Sequence, residues 1–188
     1  LPYKLGLIYC TNRSSFLLGC KVTCDFSDVS PIEPEIYYGN AGDFAISSPR
    51  VYYNQSNGYD CKVIFLERNA GGPHNKSAHL QQFCFESRKS QTIVDNTDNR
   101  KLINDNTAYS DIGPLFVDNL PPNCFTLDGK FVFLHSDTPL TSKPFAVNLQ
   151  TNELHLLNFP LDYCEILDVK NDWIIALGSS INYLPNVY

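Results

Sequence analysis

Nucleophilic chemistry at a serine needs a sharp turn that lifts the hydroxyl clear of its neighbours. The Gly-x-Ser-x-Gly pentapeptide supplies one, because its glycines tolerate the strained backbone. The chain contains no such pentapeptide; Gly178-Ser179-Ser180 comes nearest, but lacks the second glycine and follows no strand-then-helix pattern. Gly71-Gly72-Pro73-His74 has backbone N–H groups of the kind that stabilise an oxyanion. Ala70 precedes it and no nucleophile follows, so its context supports a loop between strands. His79, His135 and His155 lie in strand-like stretches without an Asp or Cys at a spacing that suggests a pair, and read as surface or satisfied core histidines. Cys20 and Cys24 are spaced as C-x3-C, with no second pair and no well-placed histidine, which is a poor zinc pattern. Asp128-Gly129 and Asn171-Asp172 have calcium-ligand chemistry, but stand where hairpin turns are needed. No catalytic residue, cofactor-binding residue or metal ligand is expected in this chain.

Composition narrows the partners. The formal charge is −6 and the basic residues are scattered, so no footprint for nucleic-acid phosphates is visible. No apolar run approaches the roughly 18–20 residues a membrane helix requires; the best candidate, residues 172–178, has strand length. Leu1-Pro2-Tyr3-Lys4 lacks the ordered regions of a signal peptide. The chain starts at Leu1 and has no Met, which fits an excised segment of a longer product. The seven cysteines (Cys10, Cys20, Cys24, Cys61, Cys84, Cys124 and Cys164) are an odd number, scattered beside apolar residues. They read as reduced thiols in a cytoplasmic protein. Sequons at Asn12, Asn54 and Asn75 arise readily in an Asn-rich chain, and the acidic run at residues 25–35 reads as a solvated loop.

The elements that would hold any site are strands. Twelve Phe and eleven Tyr favour pleated surfaces, and no stretch keeps helical spacing for ten residues. Residues 5–10 and 15–22 read as a hairpin across Thr11-Asn12-Arg13-Ser14. Residues 50–53, 61–67, 79–85 and 91–94 read as four strands, with Asn57-Gly58 a strong turn. The same grammar recurs at 123–126, 130–134, 144–149 and 153–157, and starts a third time at 164–169 and 173–177. Val63, Phe65, Val132, Leu134, Ile174 and Ala176 are expected on central strands. Residues 25–42 and 96–122 break the period and read as exposed loops, or as one weak strand in a long insertion. Four short antiparallel strands per repeat make one blade, so the expected fold is all-β, several consecutive blades of a partial β-propeller. The expected divisions are residues 1–44 (partial), 45–122, 123–160 and 161–188 (partial). A β-sandwich of similar strands is the alternative that periodicity leaves open.

Residues 5–15 (Leu-Gly-Leu-Ile-Tyr-Cys-Thr-Asn-Arg-Ser-Ser) closely resemble a segment of the propeller of the acylaminoacyl-peptidases, serine peptidases of the prolyl oligopeptidase family. So do Ala45-Ile46-Ser47-Ser48-Pro49-Arg50 and residues 61–66 (Cys-Lys-Val-Ile-Phe-Leu). Gly71–His74 with Leu80, residues 143–147 with Thr151, and Leu184-Pro185 fit later parts of that propeller, whereas residues 96–119 have no counterpart. The resemblance implies the second half of a propeller whose partners are the remaining blades and an α/β-hydrolase domain, absent here. It further implies short N-acylated peptides as substrates, a cytoplasmic parent, and room for a homo-oligomer. The segment's task would be gating access to a Ser-His-Asp site elsewhere. A non-enzymatic propeller scaffold for protein partners is the competing reading.

Overall fold

The computed structural model describes residues 15, 17–19, 35–38, 44–54, 60–70, 77–96, 115–137, 141–171, 173–180 and 183–187. Every regular element among them is a strand. β1 (Leu17–Gly19) pairs antiparallel with β2 (Glu35–Tyr38). β3 (Phe44–Asn54), β4 (Asp60–Asn69), β5 (His79–Cys84) and β6 (Lys89–Val94) then form a four-stranded antiparallel sheet in chain order. β7 (Phe131–Asp137), β8 (Ser142–Asn148) and β9 (Leu154–Leu156) make an antiparallel meander, extended on the β7 side by a bridge between Phe125 and Val132. β10 (Tyr163–Lys170), β11 (Trp173–Ser180) and β12 (Tyr183–Val187) make another. A single parallel pairing, Tyr163 with Ser142, links these last two meanders into one six-stranded sheet.

The packing of β4 shows why such sheets are stacked. Ile64 and Leu66 face one way, into a core shared with Leu115, Val117 and Leu120 of the segment before β7 and with Val132, Leu134, Phe145 and Val147 of the next meander. Val63 and Phe65 face the other way, against Phe83 and Leu17. A strand apolar on both faces cannot leave either one in water, so the sheet needs a neighbour on each side. Successive strands stay within one sheet as meanders, unlike the sheet-swapping Greek-key strands of a β-sandwich. The fold class is therefore all-β, with small antiparallel sheets stacked in chain order as in a partial propeller.

Turn chemistry closes the hairpins. Gly129 (φ 66°) and Asn171 (φ 49°) occupy the left-handed region at the turns entering β7 and β11, where a branched residue would be strained. At the first of these, Asp128 Oδ1 accepts from Thr126 Oγ1 at 2.7 Å and from the Lys130 amide at 3.1 Å. These bonds and the Lys130 ammonium hold the Asp128 carboxyl down at about 2. The carboxylate is occupied as a turn-former.

Of the two readings open for residues 25–42, the weak strand holds: it is β2, because Ile36-Tyr37-Tyr38 is strand-forming within an acidic stretch. Other expectations need correction. The end of the 96–122 stretch is not an exposed loop, since Leu115, Val117 and Leu120 are buried in the shared core. Residues 123–126 shrink to the Phe125 bridge, as Pro121 and Pro122 just before them lack the N–H groups a ladder needs. That leaves β7, with Val132 and Leu134, laddered fully on the β8 side only. The third repeat is not missing all of its later strands: β12 follows β11 before Tyr188, and its Pro185 sits on an edge strand where a missing donor does no harm. The hairpin expected at 5–22 lies outside the described residues except for Ser15 and β1, and so do residues 71–76.

Candidate functional site

The polar side chains that converge do so where β3, residues 115–125 and β10 run alongside one another. The local cause is irregular backbone. In β3 the pairing with β4 shifts between Ser47 and Arg50, with Ser48 at φ 51° and Pro49 beside it. A bulge is one of the few strand positions where Pro is admissible, and it re-aims the side chains that follow. β10 carries a comparable shift between Ile166 and Asp168.

Two guanidinium groups use this geometry. Arg50 Nε donates to the Pro121 carbonyl at 2.6 Å, and its Nη2 donates to the Leu120 carbonyl. Arg68 on β4 is only 6% exposed; it donates through Nη1 to Ser47 Oγ at 2.9 Å and through Nη2 to the Val117 carbonyl. Burial lowers the Arg68 pKa, and the Asp118 carboxylate opposes that shift. Ser48 Oγ adds a bond to Asn119 Oδ1 at 3.0 Å. The irregular segment 117–121, which has no ladder of its own, thus has the carbonyls of Val117, Leu120 and Pro121 satisfied by side chains of the preceding sheet. On the far side, Asn123 Nδ2 donates to Asp168 Oδ1 at 2.9 Å, and the Val169 amide donates to the Asn123 carbonyl at 3.0 Å. His135 on β7 accepts the Ile166 amide through Nδ1 at 3.3 Å.

A second polar cluster lies on the other face of the first sheet. Gln81 Nε2 donates to Glu67 Oε1 at 3.2 Å, and Thr92 Oγ1 donates to Gln81 Oε1 at 3.1 Å. Glu67 Oε2 is buried with no hydrogen-bond partner among the described residues. Close by, His79 Nδ1 lies 3.1 Å from Asp95 Oδ1 and 3.3 Å from the Asn96 amide. Nδ1 can donate to the carboxylate or accept from the amide, not both at once.

The His79–Asp95 pair was not anticipated. Asp95 comes sixteen positions later, across the β5–β6 hairpin, so nearby spacing carried no hint of it. The other histidines make structural contacts: His135 is pulled below the usual histidine range, chiefly by burial, and His155 meets Phe131 edge to face at 6.3 Å. Cys61, Cys84, Cys124 and Cys164 form no disulfide; burial pushes Cys124 up to about 12 and raises Cys164, which makes both poor nucleophiles. Ser179 and Ser180 lie within β11 and form no elbow. Among the described residues no three His, Cys, Asp or Glu side chains group as a metal site, and no helix is long and apolar enough to cross a membrane. What the convergent groups do is hold successive sheets together.

No protein-family model matches the sequence. Over 188 residues, 99% of the chain, it is 26% identical to an acylamino-acid-releasing enzyme of Rattus norvegicus, and equally to that of Mus musculus. Over 149 residues it is 24% identical to the Sus scrofa enzyme. The chain spans about 23% of the length of the rat and mouse relatives. Among solved structures, a TolB from Acinetobacter baumannii aligns with 85% of this chain and 33% of its own, at a TM-score of 0.49 and 12% identity.

Proposed function

We propose that this chain, similar along its whole length to acylamino-acid-releasing enzymes, is the propeller segment of a serine-type acylaminoacyl-peptidase. It gates access of short N-acylated peptides to a catalytic domain outside these residues. The observation that carries this reading is similarity over 99% of the chain to enzymes of which it spans only about 23%. The chain's sequence has no Gly-x-Ser-x-Gly elbow, so the acyl-transfer chemistry would belong to another domain.

On this reading the residues described here act by position. The Arg50 and Arg68 contacts tie the first four-stranded sheet to segment 117–121 ahead of β7, and the Ser48–Asn119 and Asn123–Asp168 bonds link the same stretch to β3 and β10. A rigid wall excludes folded proteins by size and admits short peptides. Chemistry follows on the hydrolase domain, where a Ser-His-Asp triad forms and resolves an acyl-enzyme. The parent is cytoplasmic, its other blades and the hydrolase domain are this segment's partners, and no cofactor is required. The test is the coding sequence beyond Tyr188. The proposal expects a Gly-x-Ser-x-Gly in strand–turn–helix context, followed by Asp and then His. A coding sequence that closes the propeller without them would leave a non-enzymatic scaffold.

A further inference from the structure

The meanders β7–β9 and β10–β12 share one sheet, but the seam between them is thinly bonded. Among the described residues one ladder pair joins them, Tyr163 with Ser142. Around it the Ser142 amide donates to the Asp162 carbonyl at 3.2 Å, and Lys143 Nζ donates to the Leu161 carbonyl at 2.8 Å. Past that rung β10 leaves β8 and packs on β7. There Ile166, 2% exposed, sends its amide to His135 Nδ1 at 3.3 Å. Further along, the Val169 amide reaches the Asn123 carbonyl ahead of β7. Between those two points the bond that joins β10 to β7 ends on an imidazole lone pair.

An Nδ1 that accepts from an amide carries no proton. The charged groups around His135 favour the opposite state: Glu165 from β10, Asp137 on β7 itself and Asp118 from the segment before β7 all attract an imidazolium. β8 does not oppose them, because Pro144 stands opposite His135 and Lys143 is turned to the Leu161 carbonyl. Cys164 and Tyr163 on β10 are both raised by burial and stay neutral, and Asp168 is engaged by Asn123. On protonation, Nδ1–H and the Ile166 N–H would meet donor to donor, and the buried amide would lose its acceptor.

We propose that His135 is an acid-released latch between the two meanders: neutral, it holds β10 to β7 through the Ile166 amide; protonated, it lets that stretch of β10 part from β7 while the Ser142 rung stays closed. Burial keeps the latch shut at neutral pH, since it holds the His135 pKa below its usual range and outweighs the three carboxylates. The bond is therefore complete above about pH 6.5 and is lost as pH falls through the lowered value. The inference rests on this seam and needs no catalytic activity.

Hydrogen exchange of the full-length protein from pH 7.5 to 5, resolved to single amides and corrected for intrinsic exchange, reads the latch directly. Ile166 should lose about tenfold in protection, roughly one hydrogen bond, while Ser142 and the buried Leu66 of the first sheet keep theirs. His135→Gln offers a side-chain oxygen that accepts the same amide without titrating, so Ile166 should stay protected across the range. His135→Phe should leave Ile166 at its fast, acid level at every pH. Glu165→Gln removes one attraction for the imidazolium and should move the loss to lower pH. Equal losses at Ile166 and Leu66 would mean general loosening in acid and overturn the inference. A His135→Gln protein that still loses Ile166 protection in acid would overturn it as well, by placing the titration elsewhere.

Discussion

Replacing Arg68 by Met should destabilise the protein more than its position on a strand of ordinary composition suggests. The side chain is 6% exposed and satisfies the carbonyl of Val117, itself 1% exposed, together with the Ser47 hydroxyl at 2.9 Å. Met keeps most of the apolar stem, so the loss falls on the hydrogen bonds rather than on packing. A bond from a charged donor is worth about 1.5–3 kcal/mol, and the stranded Val117 carbonyl cannot turn to water. Burying the guanidinium has its own cost, seen in its lowered pKa, and removing the charge returns part of that. The net expectation is a loss of about 2–3 kcal/mol, or a drop of roughly 4–12 °C in thermal midpoint for a chain of this size. Urea unfolding followed by circular dichroism, with an unchanged m-value, measures it. Exposed Lys89→Ala serves as the control and should stay within about 0.5 kcal/mol of the parent. An Arg68→Met loss no larger than that of Lys89→Ala would refute the reasoning that this guanidinium joins the two sheets.

Further outcomes follow from the same contacts. His135 has a folded pKa below its unfolded value, so the unfolded chain binds its proton first. Its stabilising contribution is complete above about pH 6.5 and fades as pH falls toward the lowered value. His135→Gln should therefore flatten part of the acid loss in urea midpoints between pH 7.5 and 5, and identical slopes would count against it. Iodoacetamide at pH 8 should spare Cys124 and Cys164 in the native protein and reach the partly exposed Cys61 and Cys84, as mass spectrometry would show. Under denaturing, non-reducing conditions all seven cysteines should titrate as thiols; three or fewer would indicate an oxidised protein. At Asn171, with φ 49°, substitution by Val should cost about 1–2 kcal/mol in chemical unfolding while Gly stays near neutral.

Strands with a repeating apolar core were legible from residue order alone. Residues 61–67 and 79–85 read correctly because β-branched and aromatic residues there are bounded by turn-formers, and β4 and β5 follow. The double burial of β4 was implied by its unbroken apolar run. What could not be read was structure held by distant partners. Leu115, Val117 and Leu120 look like loop residues because their carbonyls are satisfied from far back in the chain, by the Ala78 amide, Arg68 and Arg50 respectively. β2 was legible only as a weak strand among acidic neighbours, and the Asp95 contact of His79 depends on a hairpin register that local spacing does not encode. Function was less legible still. The described side chains explain how sheets are joined, and the chemistry enters only through similarity to longer enzymes.

The most direct measurement is hydrolysis of an acetyl-alanyl amide, with fluorophosphonate labelling, by the full-length protein and by the 188-residue chain side by side. The account predicts turnover and stoichiometric serine labelling in the full-length protein and neither in the short chain, which lacks a nucleophile elbow. Turnover and labelling of the short chain itself, or a folded full-length protein that shows neither, would contradict it.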